Sequence, residues 1–211
     1  MLYSVEKVLL KDGLNFNILS QLSYLSKLGI NLKRDLRYFD TEKLMEELID
    51  ITQWYDECEM LHSLNVDYRI KSIQSAKIKF ERYFPDHQFR KAFNDILGFR
   101  ILCDNYQDVL NLSNVPQIRV ADMSKGKATD DGYRGIHVYY QKDNLHYPIE
   151  IQYNTYYDRQ FNNWLHKYLY KKSYQATVGR ELRNIYEMKP MKSEREFEEA
   201  LNHVLFSCKE I

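Results

Sequence analysis

The sequence predicts an α+β fold, a β-sheet with helical flanks and further helices at both ends of the chain. Two patterns and their order predict it. Apolar residues recur at helical spacing toward both termini, and period-two alternation governs the middle. Helices come first, then strands interrupted by helices, then helices again.

Residues 14–29 carry Ile18, Leu19, Leu22, Leu25 and Leu28 close to an i, i+3, i+4 stripe, which predicts an amphipathic helix stopped near Gly29. Lys33, Arg34 and Arg37 then form a small basic cluster. Asp40 or Thr41 caps a second helix, running to about His62 with Leu44, Leu48, Ile51, Tyr55 and Cys58 facing inward. A basic helix follows over 72–83. Phe99, Ile101 and Cys103 alternate with Arg100 and Leu102, as in a strand at a sheet core. A helical turn at 108–112 ends before Pro116, and Gln117–Asp122 reads as another short strand. The polar loop MSKGKATDDGY comes next. Ile136–Gln141 and Tyr147–Tyr153 form the clearest hairpin, with Ile136, Val138, Tyr140 and Ile149, Ile151, Tyr153 on one face. His137, Tyr139, Glu150 and Gln152 take the other. A helix with Tyr157, Phe161, Trp164, Leu165, Tyr168 and Leu169 follows, with Lys167, Lys171 and Lys172 near its end. Ser193-Glu194-Arg195-Glu196 has the form of a capping box that starts a last helix.

Composition narrows the function classes. Thirty basic and thirty acidic side chains cancel, so any nucleic-acid surface must be a local patch. Cys58, Cys103 and Cys208 are widely spaced, which suggests neither a disulfide framework nor a zinc site. No apolar run is long enough to span a membrane and the start lacks a secretory pattern, so a cytoplasmic protein without membrane contact is expected. The 18 tyrosines offer rings for packing and faces on which bases can stack.

Chemistry concentrates between Tyr68 and Arg100. On a helix over 72–83, Ser75, Lys79 and Arg82 fall within an arc of about 60°. Ile73, Ala76, Phe80 and Tyr83 form a separate apolar stripe. Arg69 and Lys71 extend the cationic line toward a helix N-terminus, which itself favours anions. Such a row is ordinarily a solvated face. Asp95 before one strand and Glu150 on the polar face of another change the balance. Two carboxylates plus a row of cations is what Mg²⁺-dependent phosphoryl chemistry requires. Neither a Walker A loop nor a kinase-type glycine loop is present.

Four motifs in order carry a resemblance. Arg69-x-Lys71-x-x-x-Ser75-x-x-x-Lys79-x-x-Arg82, Asp95-x-x-Gly98-x-Arg100, Gly132-Tyr133-Arg134-x-x-His137 and Glu150-Ile151-Gln152 together resemble the synthetase domain of RelA/SpoT proteins. The resemblance covers about residues 65–172, between an N-terminal helical extension (1–64) and a C-terminal one (173–211) packed on the same domain. It implies a nucleotidyltransferase-like mixed β-sheet and a pyrophosphokinase that moves the β,γ-pyrophosphate of ATP to a ribose 3′-hydroxyl. By the same resemblance, Arg69 and Arg100 flank the adenine, and Lys71, Ser75, Lys79 and Arg82 hold the phosphates. Asp95 and Glu150 hold Mg²⁺, with Glu150 also taking the proton of the attacking hydroxyl. Tyr133 stacks on the acceptor base, while Arg134, His137 and Gln152 line the acceptor side.

Within the family the acceptor varies. Nucleotide-using members carry a lysine four residues before the Gly-Tyr tyrosine, where this chain has Thr129, with Lys125 and Lys127 upstream. They read Glu-Ile-Gln-x-Arg-Thr where this chain has Asn154 in place of the arginine. Both losses remove cations that a free guanosine polyphosphate would want. The wording at 132–137 and the absence of a hydrolase domain also resemble the toxin-type small alarmone synthetases (toxSAS), which modify the 3′-CCA end of tRNA. That reading implies a neutralising antitoxin protein or hydrolase, and a basic surface for the tRNA body. Lys33, Arg34, Arg37, Lys167, Lys171 and Lys172 are the candidates. GDP, GTP or an adenosine nucleotide as acceptor, and an inactive nucleotide-binding module, are the alternatives.

Overall fold

A computed structural model of the chain describes residues 2–11, 13–172 and 174–207; Cys208 and the side chain of Lys171 lie outside the described residues. The fold is α+β, built on a five-stranded mixed sheet with helices around it. Four helices come first: α1 (Leu2–Lys11), α2 (Phe16–Gln21), α3 (Thr41–Asp56) and α4 (Glu59–Ser63). Strand β1 (Asp67–Ile70), helices α5 (Ile73–Tyr83) and α6 (Phe89–Ala92), strand β2 (Leu97–Leu102) and helix α7 (Tyr106–Leu110) follow. Strands β3 (Ile118–Asp122), β4 (Ile136–Tyr140) and β5 (Ile149–Asn154) lead to helices α8 (Tyr156–Tyr168), α9 (Ala176–Met188) and α10 (Glu194–Ser207).

The sheet order is β1-β2-β5-β4-β3, and β1 runs antiparallel to β2 with Arg69 opposite Gly98. Period-two patterning produces its two faces. Ile136, Val138 and Tyr140 are buried on one side of β4, and His137 and Tyr139 alternate with them on the other. Strand β5 departs from this, because Glu150 is buried as well.

Two compact units divide the chain. The first holds residues 1–101, 107–120 and 137–152; the second holds 102–106, 121–136 and 153–211. In the first unit, the helix expected over 14–29 is only the six residues of α2. Backbone pairing elsewhere replaces the helical bonds beyond it: Tyr147 donates to Tyr24, Ser26 to Leu145 and Leu32 to Asn144, all at 2.8–2.9 Å. The second helix also divides, α3 ending at Asp56 and α4 starting after Cys58. Asp40 is the cap of α3, its carboxylate accepting from the backbone of Glu42 and Lys43.

That helix buries a carboxylate. Glu47 is only 3% exposed. It accepts from the Ser26 and Tyr147 hydroxyls, each at 2.8 Å, and from the Lys27 backbone. Three donors offset the loss of water around a buried charge. They also bind α3 and the irregular segment after α2 to the start of β5.

In the second unit, Phe161, Trp164, Leu165, Leu182, Tyr186, Phe197 and Leu201 join α8, α9 and α10 in one apolar cluster. Ser193 caps α10 through the Glu196 backbone, but the Glu196 carboxylate reaches back to Lys192 rather than closing the expected box.

Removing the Tyr147 hydroxyl deletes one hydrogen bond to a buried charge. Tyr147→Phe is expected to lower stability by about 1.5–3 kcal/mol in urea unfolding. A change below about 0.5 kcal/mol would mean the Glu47 cluster does not anchor the segment.

Candidate active site

The first unit gathers ten of the sequence-predicted residues on the polar face of the sheet and beside it. β1 supplies Arg69, and Lys71 follows it with its backbone N–H bonded to Ile96 O at 2.8 Å. This extends the β1–β2 pairing and puts Lys71 next to Asp95. Helix α5 begins at the cap Ser72, whose hydroxyl accepts from the Ser75 backbone and donates to the Ser75 hydroxyl. One turn further on, Lys79 faces the same carboxylate.

Asp95 is 7% exposed and has three cationic neighbours. Lys71 Nζ lies 2.8 Å from Oδ2, Lys79 Nζ 3.0 Å from Oδ1 and Arg69 Nη2 3.3 Å from Oδ2. Asn94 Oδ1 also accepts from Lys79, at 2.9 Å. Burial alone would raise the Asp95 pKa, but the lysines outweigh it and hold the group below the usual carboxylate value. Ser75 and Arg82, with Lys71, Ile78, Lys79, Tyr83 and Asp95, line a cavity of about 280 Å³. The helical arc over 72–83 thus opens onto a single cavity.

Glu150 is 4% exposed on β5, and the same Arg69 nitrogen that touches Asp95 lies 3.8 Å from its Oε2. His137 Nδ1 is 3.0 Å from Oε1, and the Gln152 amide donates to Oε2 at 2.7 Å. Burial pushes the Glu150 pKa up, while His137 and Gln152 pull it down. The net shift is downward despite the nearby Asp95 charge. A Cβ on Gly98 would face Glu150 Oε2 and Arg69 at 3.5 and 3.7 Å. Arg100, two residues along β2, is half-buried on that same face.

Two buried carboxylates within reach of one guanidinium fit a Mg²⁺ ion shared with a nucleotide. Mg²⁺ keeps several waters and is held by one or two carboxylates plus substrate phosphates. Among the described residues no cluster of three or more His, Cys, Asp or Glu side chains is assembled as a metal cage. The donor set therefore suits a metal that arrives with its substrate. The surrounding cations suit a polyphosphate.

Tyr133 and Arg134 belong to the second unit. Arg134 is 6% exposed, and its guanidinium donates to Asp130 at 2.8 and 3.1 Å and to its neighbour's carbonyl, Tyr133 O. Its own carbonyl accepts from the Asn154 and Asn162 amides. These partners tie Arg134 to shaping the loop. Gly132 has a left-handed φ of +87°, and a Cβ there would fall on the Gly179 carbonyl of α9. Asn154 is 2% exposed, so the position where nucleotide-using relatives carry arginine presents no side chain to solvent.

Sequence reasoning missed a second cationic group. Lys33, Arg90, Lys91, Arg119 and Lys142 line a cavity of about 240 Å³ in the first unit with Tyr139 and Gln141. Among the described residues none of the five has a carboxylate within 4.0 Å. Burial and the Arg119 charge lower the Arg90 pKa, as expected of cations without a counterion. Arg119 lies 4.1 Å from the centroid of the Tyr139 ring, and the Tyr139 hydroxyl is 3.3 Å from His137 Nδ1. The outward positions of β3 and β4 carried a signal for Arg119 and Tyr139; Arg90 and Lys91 come from the short α6, and Lys33 and Lys142 from separate loops.

The other sequence-predicted basic residues are dispersed. Arg34 lies over the Tyr38 ring, Arg37 pairs with Asp86, and Lys167 pairs with Glu194 at 2.6 Å. Lys172 is exposed in the turn after α8. No helix among the described residues is long and apolar enough to cross a membrane.

A family model described as "Region found in RelA / SpoT proteins" matches residues 68–175. No curated protein matches the sequence. Among solved structures, the chain is 21% identical to small alarmone synthetase 1 from Bacillus subtilis bound to its product pppGpp, covering 80% of this chain and 92% of that one with a TM-score of 0.42. Small alarmone synthetase 2 from Bacillus subtilis is 20% identical, with coverage of 81% and 93% and a TM-score of 0.42. A GTP pyrophosphokinase family protein from Streptococcus pneumoniae is 21% identical, with coverage of 80% and 89% and a TM-score of 0.40.

The depressed pKa values have a consequence. Both carboxylates contribute stability that is complete above their ordinary values, 3.8 for Asp95 and 4.5 for Glu150, and lost as pH falls through the lower folded values. Lys79→Met should move the Asp95 titration upward in carboxyl-carbon NMR, and acid unfolding should begin at higher pH. An unmoved titration would mean Lys79 does not set the Asp95 charge.

Proposed function

The chain belongs to the RelA/SpoT family, and from that footing we propose that it is an ATP-dependent pyrophosphokinase acting on the 3′-CCA end of tRNA. The observation that carries the chemistry is the meeting of Asp95 and Glu150 with Arg69, Lys71 and Lys79 on one sheet face. In the free site the cations neutralise Asp95; when ATP enters, its phosphates compete for them. Lys71, Ser75, Lys79 and Arg82 hold the phosphates in the cavity they line, and Arg69 and Arg100 flank the adenine. Asp95 and Glu150 would hold a Mg²⁺ ion arriving with the nucleotide, and the ion would supply positive charge to the transferring group.

Glu150 takes the proton from the ribose 3′-hydroxyl. The oxygen then attacks the β-phosphorus in line, a new O–P bond forms, the bridge to the α-phosphate breaks and AMP leaves. His137 and Gln152 keep the Glu150 carboxylate oriented and ionised at neutral pH. Tyr139, whose phenol is pushed up by burial and by the Glu150 charge, stays protonated beside His137. Tyr133 stacks on the acceptor base, and Arg134 keeps its loop in shape.

Thr129 and the buried Asn154 support tRNA as acceptor, because a terminal adenosine in a chain has no 5′-polyphosphate to neutralise. The cavity lined by Lys33, Arg90, Lys91, Arg119 and Lys142, with Asp143 its one carboxylate, supports it further, since an excess of cations suits a phosphate backbone. Modifying that end blocks aminoacylation, so the activity is that of a translation-inhibiting toxin in the cytoplasm, countered by an antitoxin protein or a hydrolase.

Incubation with γ-labelled ATP and, separately, deacylated tRNA, GDP, GTP or ATP identifies the acceptor. Label is expected on tRNA. Label confined to GDP or GTP would replace the tRNA reading with synthesis of (p)ppGpp, and label on ATP with an adenosine alarmone. No transfer to any acceptor would favour an inactive nucleotide-binding module. Glu150→Gln should reduce transfer by at least about 100-fold.

A further inference from the structure

The loop before Tyr133 contains a closed set of contacts that the proposed chemistry does not use. Lys127 Nζ lies 2.6 Å from Asp131 Oδ2 and 4.8 Å from the centroid of the Tyr133 ring. The Tyr170 hydroxyl donates to the same Asp131 Oδ2 at 3.2 Å, and Lys127 lies 5.8 Å from the Tyr170 ring centroid. Asp131 Oδ1 accepts from the Tyr133 backbone at 3.2 Å. One carboxylate therefore fixes the lysine, the second tyrosine and the backbone of the first. The loop itself is seated on α9, because a Cβ on Gly179 would fall on the Asp131 carbonyl oxygen.

We propose that Lys127 is a positioning residue that presets Tyr133 for the acceptor base and narrows which acceptor is used. This rests on the reading that Tyr133 stacks on that base. An ammonium over one face of a tyrosine ring is attracted to its π electrons and resists rotation of the ring. With that face covered, an incoming base has the opposite one. The contact with Asp131 has a second effect. Nucleotide-using relatives place a lysine four residues before the tyrosine, where this chain has Thr129. Lys127 could otherwise stand in for that cation, but Asp131 holds its charge. The clasp thus orders the stacking platform while withholding the Lys127 ammonium from a polyphosphate.

Four variants and two readouts test this. Lys127→Met should raise the KM for deacylated tRNA about three- to tenfold, the range expected for losing one cation–π contact and its ordering effect. It should leave kcat within about twofold and the KM for ATP unchanged, since it removes positioning and not chemistry. Lys127→Arg should restore most of the loss. Asp131→Asn should free the ammonium and strengthen GDP as a competitive inhibitor against tRNA. Equal losses in kcat and in the KM for ATP, or no rescue by arginine, would overturn the positioning role. Unchanged inhibition by GDP would overturn the specificity role.

The second readout does not depend on catalysis. The ε-methylene protons of Lys127 should show an upfield ring-current shift in NMR that disappears in Tyr133→Ala. Unshifted protons in the unaltered protein would refute the clasp. If the shift is present while Tyr133→Ala leaves the KM for tRNA unchanged, the clasp stands and the stacking role of Tyr133 falls.

Discussion

Burying Asp95 and Glu150 together creates the electrostatic problem that the first unit is built to solve. Two carboxylates sharing one guanidinium nitrogen repel each other, and burial strips away the water that would screen them. Left to themselves, one would take up a proton and lose its use for metal or base chemistry. Lys71 and Lys79 at Asp95, and His137 and Gln152 at Glu150, reverse the outcome, and both groups are held below their ordinary pKa values. Local structure delivers these partners. The β1–β2 pairing carries Lys71 to Asp95, α5 presents Lys79 two turns from its cap, and β4 sets His137 beside Glu150.

The arrangement also explains how one site can serve both states of the reaction. In the proposed reaction, the cations that neutralise Asp95 in the free protein would turn to the triphosphate, and the carboxylate they release would turn to the metal. Exchange of partners involves no large rearrangement of buried charge, because each charge leaves one opposite partner for another. A buried ion cluster of this kind adds little net stability, since desolvation offsets most of the Coulombic gain. Its value lies in keeping charges pre-placed for a transition state that demands positioned cations.

The cationic cavity beside α5 was legible in the sequence because a helix converts spacing directly into direction. Ser75, Lys79 and Arg82 share an arc on any helix, and they line one cavity on α5. Alternation likewise gave the faces of β4. Tertiary pairing decided what spacing missed. The apolar stripe over 14–29 yields only α2, because the backbone beyond it pairs with the turn before β5. β1 is four residues long, with Asp67 exposed and the other three half-buried, too short for periodicity to reveal. Spacing could not reveal that Arg134, read as an acceptor-side residue, also pairs with Asp130 within its own loop. The basic cavity draws on Lys33, Arg90, Arg119 and Lys142, which no sequence window can bring together.

The central claim is that Asp95 occupies the phosphate-binding lysines until ATP displaces it. Calorimetry of ATP binding to Asp95→Asn in EDTA, with no divalent metal present, tests that exchange alone. The account predicts tighter metal-free binding than in the unaltered protein, because Lys71 and Lys79 no longer have a carboxylate to leave. Unchanged or weaker binding would contradict it.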